Sequence, residues 1–387
     1  MKRIFLDHNS TTPIHPEVVE AMLPYFSDKY GNPSSVHSFG QEAKVALEEA
    51  REKVAKFLNA SPSEIYFTSC GSESDNLAIK GIIWANQEKG KHIVTSKIEH
   101  PAVLESCQWL EKHRFEVTYL GVDQYGLVDI DDLKKALRKD TILASIMQAN
   151  NEIGTVEPIA KLCRIAQEQG VYFHTDAVQS AGKLFLDVKE LGVDLLSLSG
   201  HKLYAPKGVG MLYIKQGTKL ETWLQGGSQE RGRRSGTENI PYIVGFAKAC
   251  ELAMQDLNSL REKLLNLSLA FLERIRSAIP DVRLNGHPTG RIPNTLNLSF
   301  AGCEAQSIIM ALDLKGVAVA SGAACHSGAV NPSSVLKALG VSDERALSAV
   351  RFSFGRQNSM EEVEYVCGIL PGIVERMRKS QSTISRP

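Results

Sequence analysis

Thr141-Ile-Leu-Ala-Ser-Ile-Met147, Ala160-Lys-Leu-Cys-Arg-Ile-Ala-Gln-Glu-Gln169 and Val171-Tyr-Phe-His-Thr175 follow one another as strand, helix and strand. The outer runs are apolar and strand-sized, and the middle one is helical in length and pattern. Upstream the alternation continues. Ala43, Leu47, Ala50, Val54 and Phe57 recur at helical spacing, which predicts an amphipathic helix from Gln41 to Leu58. A strand (Glu64 to Phe67), a helix (Ser74 to Lys89), a strand (His92 to Ser96) and a helix (Ala102 to His113) come next. Downstream lie strands Leu195 to Ser199 and Val209 to Ile214. This order predicts an α/β domain around a mostly parallel, buried sheet.

Beyond residue 255 the texture changes. A long helix is expected from Gln255 towards Ile279, then short strands near Leu296–Ser299 and Val317–Ala320, and a last helix from Met360 towards Arg378. The polar tail, Lys379 to Pro387, is expected to fray. Residues 15–255 are therefore read as a large domain, and 1–14 with 256–387 as a smaller α+β domain. A length of 387 residues accommodates both at roughly 100–200 residues per domain.

Composition narrows the function classes. The 44 basic and 44 acidic residues balance, which favours neither a nucleic-acid nor a membrane-surface partner. Apolar runs fall far short of the roughly 20 residues that span a bilayer. No signal-type apolar stretch precedes Asp7, so a cytoplasmic location is expected. The seven cysteines are odd in number and widely spaced, unlike a disulfide framework, and no C-x-x-C pair suggests a metal site.

Four clusters at expected strand ends carry chemistry, at the edge where open α/β sheets bind ligands. Thr68-Ser-Cys-Gly-Ser-Glu-Ser-Asp75 opens a helix with small residues. It reads either as an anion cradle or as a plain cap in which Ser72 and Asp75 form a capping box. His174-Thr-Asp-Ala-Val-Gln179 delivers a carboxylate, Asp176, that suits a cationic ring nitrogen or caps a helix. Ser197-Leu-Ser-Gly-His-Lys202 ends an apolar strand on a lysine suited to a Schiff base with an aldehyde cofactor. Ala320-Ser-Gly-Ala-Ala-Cys325-His surrounds one cysteine with small residues. That context fits an exposed nucleophilic thiol beside His326, or a structural cysteine under a turn.

Together the clusters resemble the pyridoxal-phosphate-dependent cysteine desulfurases, a class-V-aminotransferase-like family. So do Asp7-His-Asn-Ser-Thr-Thr-Pro, Gly31-Asn-Pro-Ser-Ser, Glu99-His100, Asn150-Asn-Glu-Ile-Gly, Arg234-Ser-Gly-Thr-Glu-Asn and Arg351-Phe-Ser-Phe-Gly-Arg356. The resemblance runs nearly end to end. It implies the fold-type I architecture, a mostly parallel seven-stranded-type sheet flanked by helices, working as a homodimer. It also implies pyridoxal 5'-phosphate on Lys202, Asp176 against the ring nitrogen, Gln179 and Asn151 near the ring hydroxyl, and His100 stacked on the ring. Gly71, Ser72, Ser199 and His201 would hold the phosphate, joined by Thr237 from a partner subunit. Arg351, with Asn151, would bind the substrate carboxylate, an arginine fork being suited to it; Arg356 is read as structural. The implied reaction converts L-cysteine to L-alanine and leaves a persulfide on Cys325 for a sulfur-acceptor or iron–sulfur scaffold protein. His326 or His100 would take the thiol proton.

The sequence departs from this pattern in places. Cys325-His-Ser-Gly is closer to the selenocysteine lyases, which makes L-selenocysteine an alternative substrate. Cys70 stands beside the phosphate motif and is read as packing. An aminotransferase would leave Cys325 unexplained, and a non-catalytic binding module would not need Lys202, Asp176 and Cys325 together.

Overall fold

The computed structural model describes residues 3–322, 325–326 and 329–384, with backbone alone at 325–326, 329–330 and 381–384. Seven strands form one sheet in the order Ile65–Thr68, Gly210–Ile214, Leu195–Ser199, Tyr172–Asp176, Thr141–Ser145, His92–Ser96 and Glu116–Leu120. The last five run parallel. Gly210–Ile214 runs antiparallel to both its neighbours. A sheet covered on both faces needs strands apolar on both sides. Leu195 and Leu212 accordingly join the apolar cluster on one face, while Leu196, Leu198 and Met211 join that on the other. Helices Gly71–Ala85 and Pro101–Glu111 cover the first face through Leu77, Ile82, Val103 and Leu110. Helices Ser38–Leu58 and Ile159–Glu168 cover the second through Leu47, Val54 and Leu162. Each such side chain taken fully from water contributes roughly 1.5–3 kcal/mol.

A second sheet is antiparallel: Ala320–Ser321, Ala349–Ser353, Thr295–Phe300 and Val282–Asn285. Its core gathers Phe271, Phe300, Phe352 and Phe354 beneath the helix Met360–Ile384. The chain's first strand, Ile4–Phe5, pairs in parallel with Val317–Ala318, so the N-terminal segment leaves this second unit and runs into the large sheet.

Three expectations need correction. The long helix spans Ile240–Ala278, starting well before Gln255. Its first half buries Ile243, Phe246 and Ala253 in the core of the large domain, alongside the Ser38–Leu58 helix, and its second half buries Leu264, Phe271 and Ile275 in the other core. One continuous helix therefore changes partner midway, which is what altered the texture. Val317–Ala320 is two short strands in different sheets, parting at Val319. The last helix continues to Ile384, past the expected end at Arg378. No helix among the described residues is long and apolar enough to cross a membrane.

Candidate active site

The carboxyl ends of the parallel strands, the first turn of the Gly71–Ala85 helix and the N-terminal segment surround a cavity of about 360 Å³. That is within the range of small-molecule sites. Of the expected residues it brings together Gly71, Ser72, His100, Asn151, Asp176, Gln179, Ser199, His201, Lys202 and Arg351.

Lys202 follows the buried Leu195–Ser199 strand and donates from Nζ to the carbonyls of Asn9 (2.5 Å) and Ser10 (2.7 Å). Burial, reinforced by the charge of Arg351, brings its ammonium down to about 8. A substantial neutral fraction is what an amine nucleophile needs. Asp176 ends its strand with Oδ1 accepting the Val178 N–H at 2.8 Å. Burial raises its carboxyl, opposed by His100 and Lys202. Beneath it Asp75 is raised much further, by burial and then by Asp176 itself. Asp75 Oδ1 has no hydrogen-bond partner and lies 3.6 Å from His174 Nε2. His174 is pushed by burial down to about 3, so it brings no charge. Among the described residues no lysine or arginine forms an ion pair with Asp75 or Asp176, so a protonated ring nitrogen would suit Asp176.

His100 caps the Pro101–Glu111 helix, its Nδ1 accepting the Ala102 N–H at 3.1 Å. Burial lowers its imidazolium. A neutral ring with Nδ1 accepting carries its proton on Nε2. His201, lowered to about 4 by burial and by Lys202, meets Thr11 Oγ1 at 3.2 Å. Gln179 donates from Nε2 to the Asn9 carbonyl at 2.9 Å, and its Oε1 accepts from Lys183 Nζ at 3.2 Å. Arg351 reaches across from the second sheet. Its Nη2 donates to Asp7 Oδ1 and Ser10 Oγ, each at 2.7 Å, and its Nη1 to the Asn151 carbonyl at 3.1 Å. Its Nε is buried without a partner among the described residues. Arg356 pairs with Asp256 and lies over the Tyr204 ring.

The helix that opens at Gly71 presents unpaired first-turn N–H groups, where anions bind. A Cβ on Gly71 would sit 3.0 Å from Val178 Cγ2 and 3.2 Å from Ser199 Cβ, so a larger residue would make both neighbours give by a few tenths of an ångström. The expected capping box does not form. Cys70 is the cap residue, Ser72 already lies inside the helix, and Asp75 turns under the sheet. Glu73 takes the capping part instead, accepting from Ser69 N at 2.7 Å, while Arg234 Nε binds its other oxygen at 2.8 Å. Cys70, read as packing, is half-buried and lines the cavity.

Thr237 is exposed and does not line its own chain's cavity; it lines a separate hollow with Thr68, Glu230 and Arg234. The side chains of Cys325 and His326 lie outside the described residues. Sequence reasoning missed Asn9, which acts through its backbone carbonyl and so leaves no trace in residue type. It also missed Lys183, which resembles an ordinary surface lysine in sequence yet is buried.

The class that this fold and cavity define is the class-V aminotransferases, whose family model matches residues 4–366. Pyridoxal phosphate is the cofactor of that class, and the residues present fit it: a glycine-opened cradle for phosphate, a carboxyl, Asp176, suited to a protonated ring nitrogen, and a lysine of lowered basicity. A cysteine desulfurase IscS of Dictyoglomus turgidum is 54% identical over 379 residues, 98% of this chain and 96% of its own. Among solved structures, a NifS-like protein aligns with TM-score 0.92 at 37% identity, covering 97% of this chain and all of its own. SspA in complex with cysteine aligns with TM-score 0.80 at 36% identity, covering 91% and 99%. The chain belongs to the cysteine desulfurase family.

Proposed function

We propose that the protein converts L-cysteine to L-alanine and retains the sulfur as a persulfide on Cys325, for delivery to an acceptor such as an iron–sulfur scaffold protein. The observation that carries this reading is the meeting of Lys202, Asp176 and Arg351 in one cavity, although Arg351 comes from the second sheet. A lysine, a carboxylate for a ring nitrogen and a fork for a substrate carboxylate together suit an amino-acid substrate.

Bound pyridoxal phosphate supplies an electron sink for charge developing at the substrate Cα. Lys202 would hold the cofactor, and its amine is placed to move a proton at the substrate Cα. Asp176 would face the ring nitrogen. Gly71, Ser72, Ser199 and His201 would hold the phosphate, while Gln179 and Asn151 would serve the ring hydroxyl. Arg351 orients the substrate carboxylate. Cys325 as thiolate then attacks the substrate sulfur. The S–S bond forms as the substrate Cβ–S bond breaks, and the carbon fragment takes the electron pair, is protonated and leaves as alanine. His100 enters with its proton on Nε2 and serves as a donor. Removal of the thiol proton thus falls to His326, since an ordinary thiol near ~8.5 needs help at neutral pH. A pH–rate profile unchanged in His326→Ala would exclude that assignment.

Thr237, exposed and outside the lining of its own cavity, suits service in the cavity of a second copy, so we infer a homodimer; sedimentation velocity checks it. The apolar clusters part between Ala253 and Leu260, which supports a cofactor-holding unit, 15–255, and a unit of 1–14 with 256–387 that carries Cys325.

The test is alanine and sulfide release from L-cysteine with a reductant, on wild type and Cys325→Ala, with L-selenocysteine in parallel. The expected result is a Cys325→Ala protein that keeps its yellow colour and loses activity on cysteine by at least about 10²-fold, the scale on which a lost nucleophile acts. A wild type inert on cysteine but active on selenocysteine would favour the lyase reading. Inertness towards both would overturn the function.

A further inference from the structure

Glu152 lies in the turn Asn150-Asn-Glu-Ile-Gly154, which Asn150 builds by accepting the N–H groups of Glu152 (2.9 Å) and Ile153 (3.0 Å) at its Oδ1. Its carboxylate faces away from that turn and meets two points of the chain far off in sequence. Ser333 Oγ donates to Glu152 Oε2 at 2.5 Å. The same oxygen occupies the place where a side chain on Gly322 would be, since a Cβ there would come within 1.9 Å of it. That hypothetical Cβ would also lie 3.4 Å from Ser333 Cβ, so Gly322, Glu152 and Ser333 converge. Gly322 precedes Cys325 in sequence and Ser333 follows it. Ser333 is itself fixed: its Oγ also accepts the Leu336 N–H at 3.2 Å and caps the helix Ser334–Ala338. Glu152 is tied to the cavity on its other side, because the neighbouring Asn151 carbonyl accepts from Arg351.

We propose that Glu152 is a positioning residue for Cys325: its carboxylate takes a hydrogen bond from Ser333 and packs against Gly322, the points of the chain on either side of the thiol in sequence. This rests on the reading of Cys325 as the nucleophile. The physical ground is that reaction rates follow closely how the chain beside a reacting group is placed. Gly322 is glycine because the carboxylate fills the space beside it. The requirement is for length and shape at position 152. Burial lifts this carboxyl to about 7, against the opposing pull of the Ser333 hydrogen bond and Arg351, so a neutral amide of equal length is a fair replacement.

The test uses the full-length holoenzyme and three variants: Glu152→Ala, Glu152→Asp and Glu152→Gln. Two quantities are measured: the rate at which iodoacetamide alkylates Cys325, followed on its peptide by mass spectrometry, and kcat for alanine release from L-cysteine. Glu152→Ala and Glu152→Asp are expected to change the alkylation rate by at least about 3-fold and to lower kcat about 10-fold, the scale of a misplaced reacting group. Their cofactor absorbance should match wild type. Glu152→Gln, able to accept from Ser333 at the same reach, should stay within about 2-fold of wild type in both, the change expected when geometry is kept. Should Glu152→Ala fail to fold, Glu152→Asp carries the comparison. Wild-type alkylation and kcat in Glu152→Asp, or a Glu152→Gln as impaired as Glu152→Asp, would overturn the proposal. If wild type releases no alanine, the functional reading falls by itself, and the alkylation rates, which need no turnover, still decide the role of Glu152.

Discussion

A lysine removed from water is costly to charge, and Lys183 shows how the site uses that. Its Nζ donates to the Gln179 carbonyl at 2.9 Å and to Gln179 Oε1. Burial, then the charges of Lys202 and Arg351, bring its ammonium down to about 7. An unfolded lysine titrates near ~10.4. Above both values the group is neutral in either state and adds no pH dependence. Between about 7 and ~10.4 the unfolded chain binds the extra proton, so stability rises with pH, and below 7 the full penalty is present. Lys183→Met should abolish this rise. Chemical denaturation of wild type and variant at pH 7 and pH 10 should differ in slope by on the order of 4 kcal/mol, at 1.36 kcal/mol per unit. Equal slopes would mean that Lys183 is solvated. Gly71→Ala makes a second prediction at this scale. Its Cβ would press on Ser199 and Val178, so cofactor affinity should fall about tenfold or more while the circular dichroism stays native, as checked by fluorescence titration. Lys202, Asp176 and Gly71 were legible in the sequence because strand ends and helix starts are marked by residue type. Lys183, Asn9 and Glu152 were not, since their roles come from burial, a backbone carbonyl and a contact made across the fold.

Helices and strands were read most securely where both faces are buried. His92–Ser96 and Leu195–Ser199 have the ends expected of them. The edge strand Glu116–Leu120, polar at one end and only partly buried, escaped notice. Single elements also depend on ties invisible in sequence. Arg51, in the Ser38–Leu58 helix, forks onto both oxygens of Glu230 at 2.8 Å, and Glu230 also accepts the Phe67 N–H at 2.9 Å. This buried pair fastens the segment bearing Thr237 to the sheet edge. Arg51→Ala leaves Glu230 charged and unpaired, and should cost about 3–5 kcal/mol in denaturant unfolding. A loss below about 1 kcal/mol, the level of an exposed pair, would show that the pair is solvated.

At the level of the whole molecule, Arg351 lies in the second sheet and Lys202 in the turn that follows a strand of the large one, and the Ile240–Ala278 helix spans both cores. Asn258, exposed between the two buried halves, is the place to break it. Proline there removes a helical hydrogen bond and costs about 3 kcal/mol. Asn258→Pro should raise KM for cysteine more than it lowers kcat, because the carboxylate-binding arginine loses its alignment before the cofactor site does. A fall in kcat with KM unchanged would count against this coupling.

The pairing of Ile4–Phe5 with Val317–Ala318, and of Asp7 with Arg351, has a consequence in time. Residues 4–5 leave the ribosome long before residues 317–318, with which they pair. The Asn9 carbonyl can be set against Lys202 only once that late partner has emerged. A nascent chain that has not yet reached Arg351 thus has its lysine and no finished site, so the chemistry is withheld until the second sheet has been made.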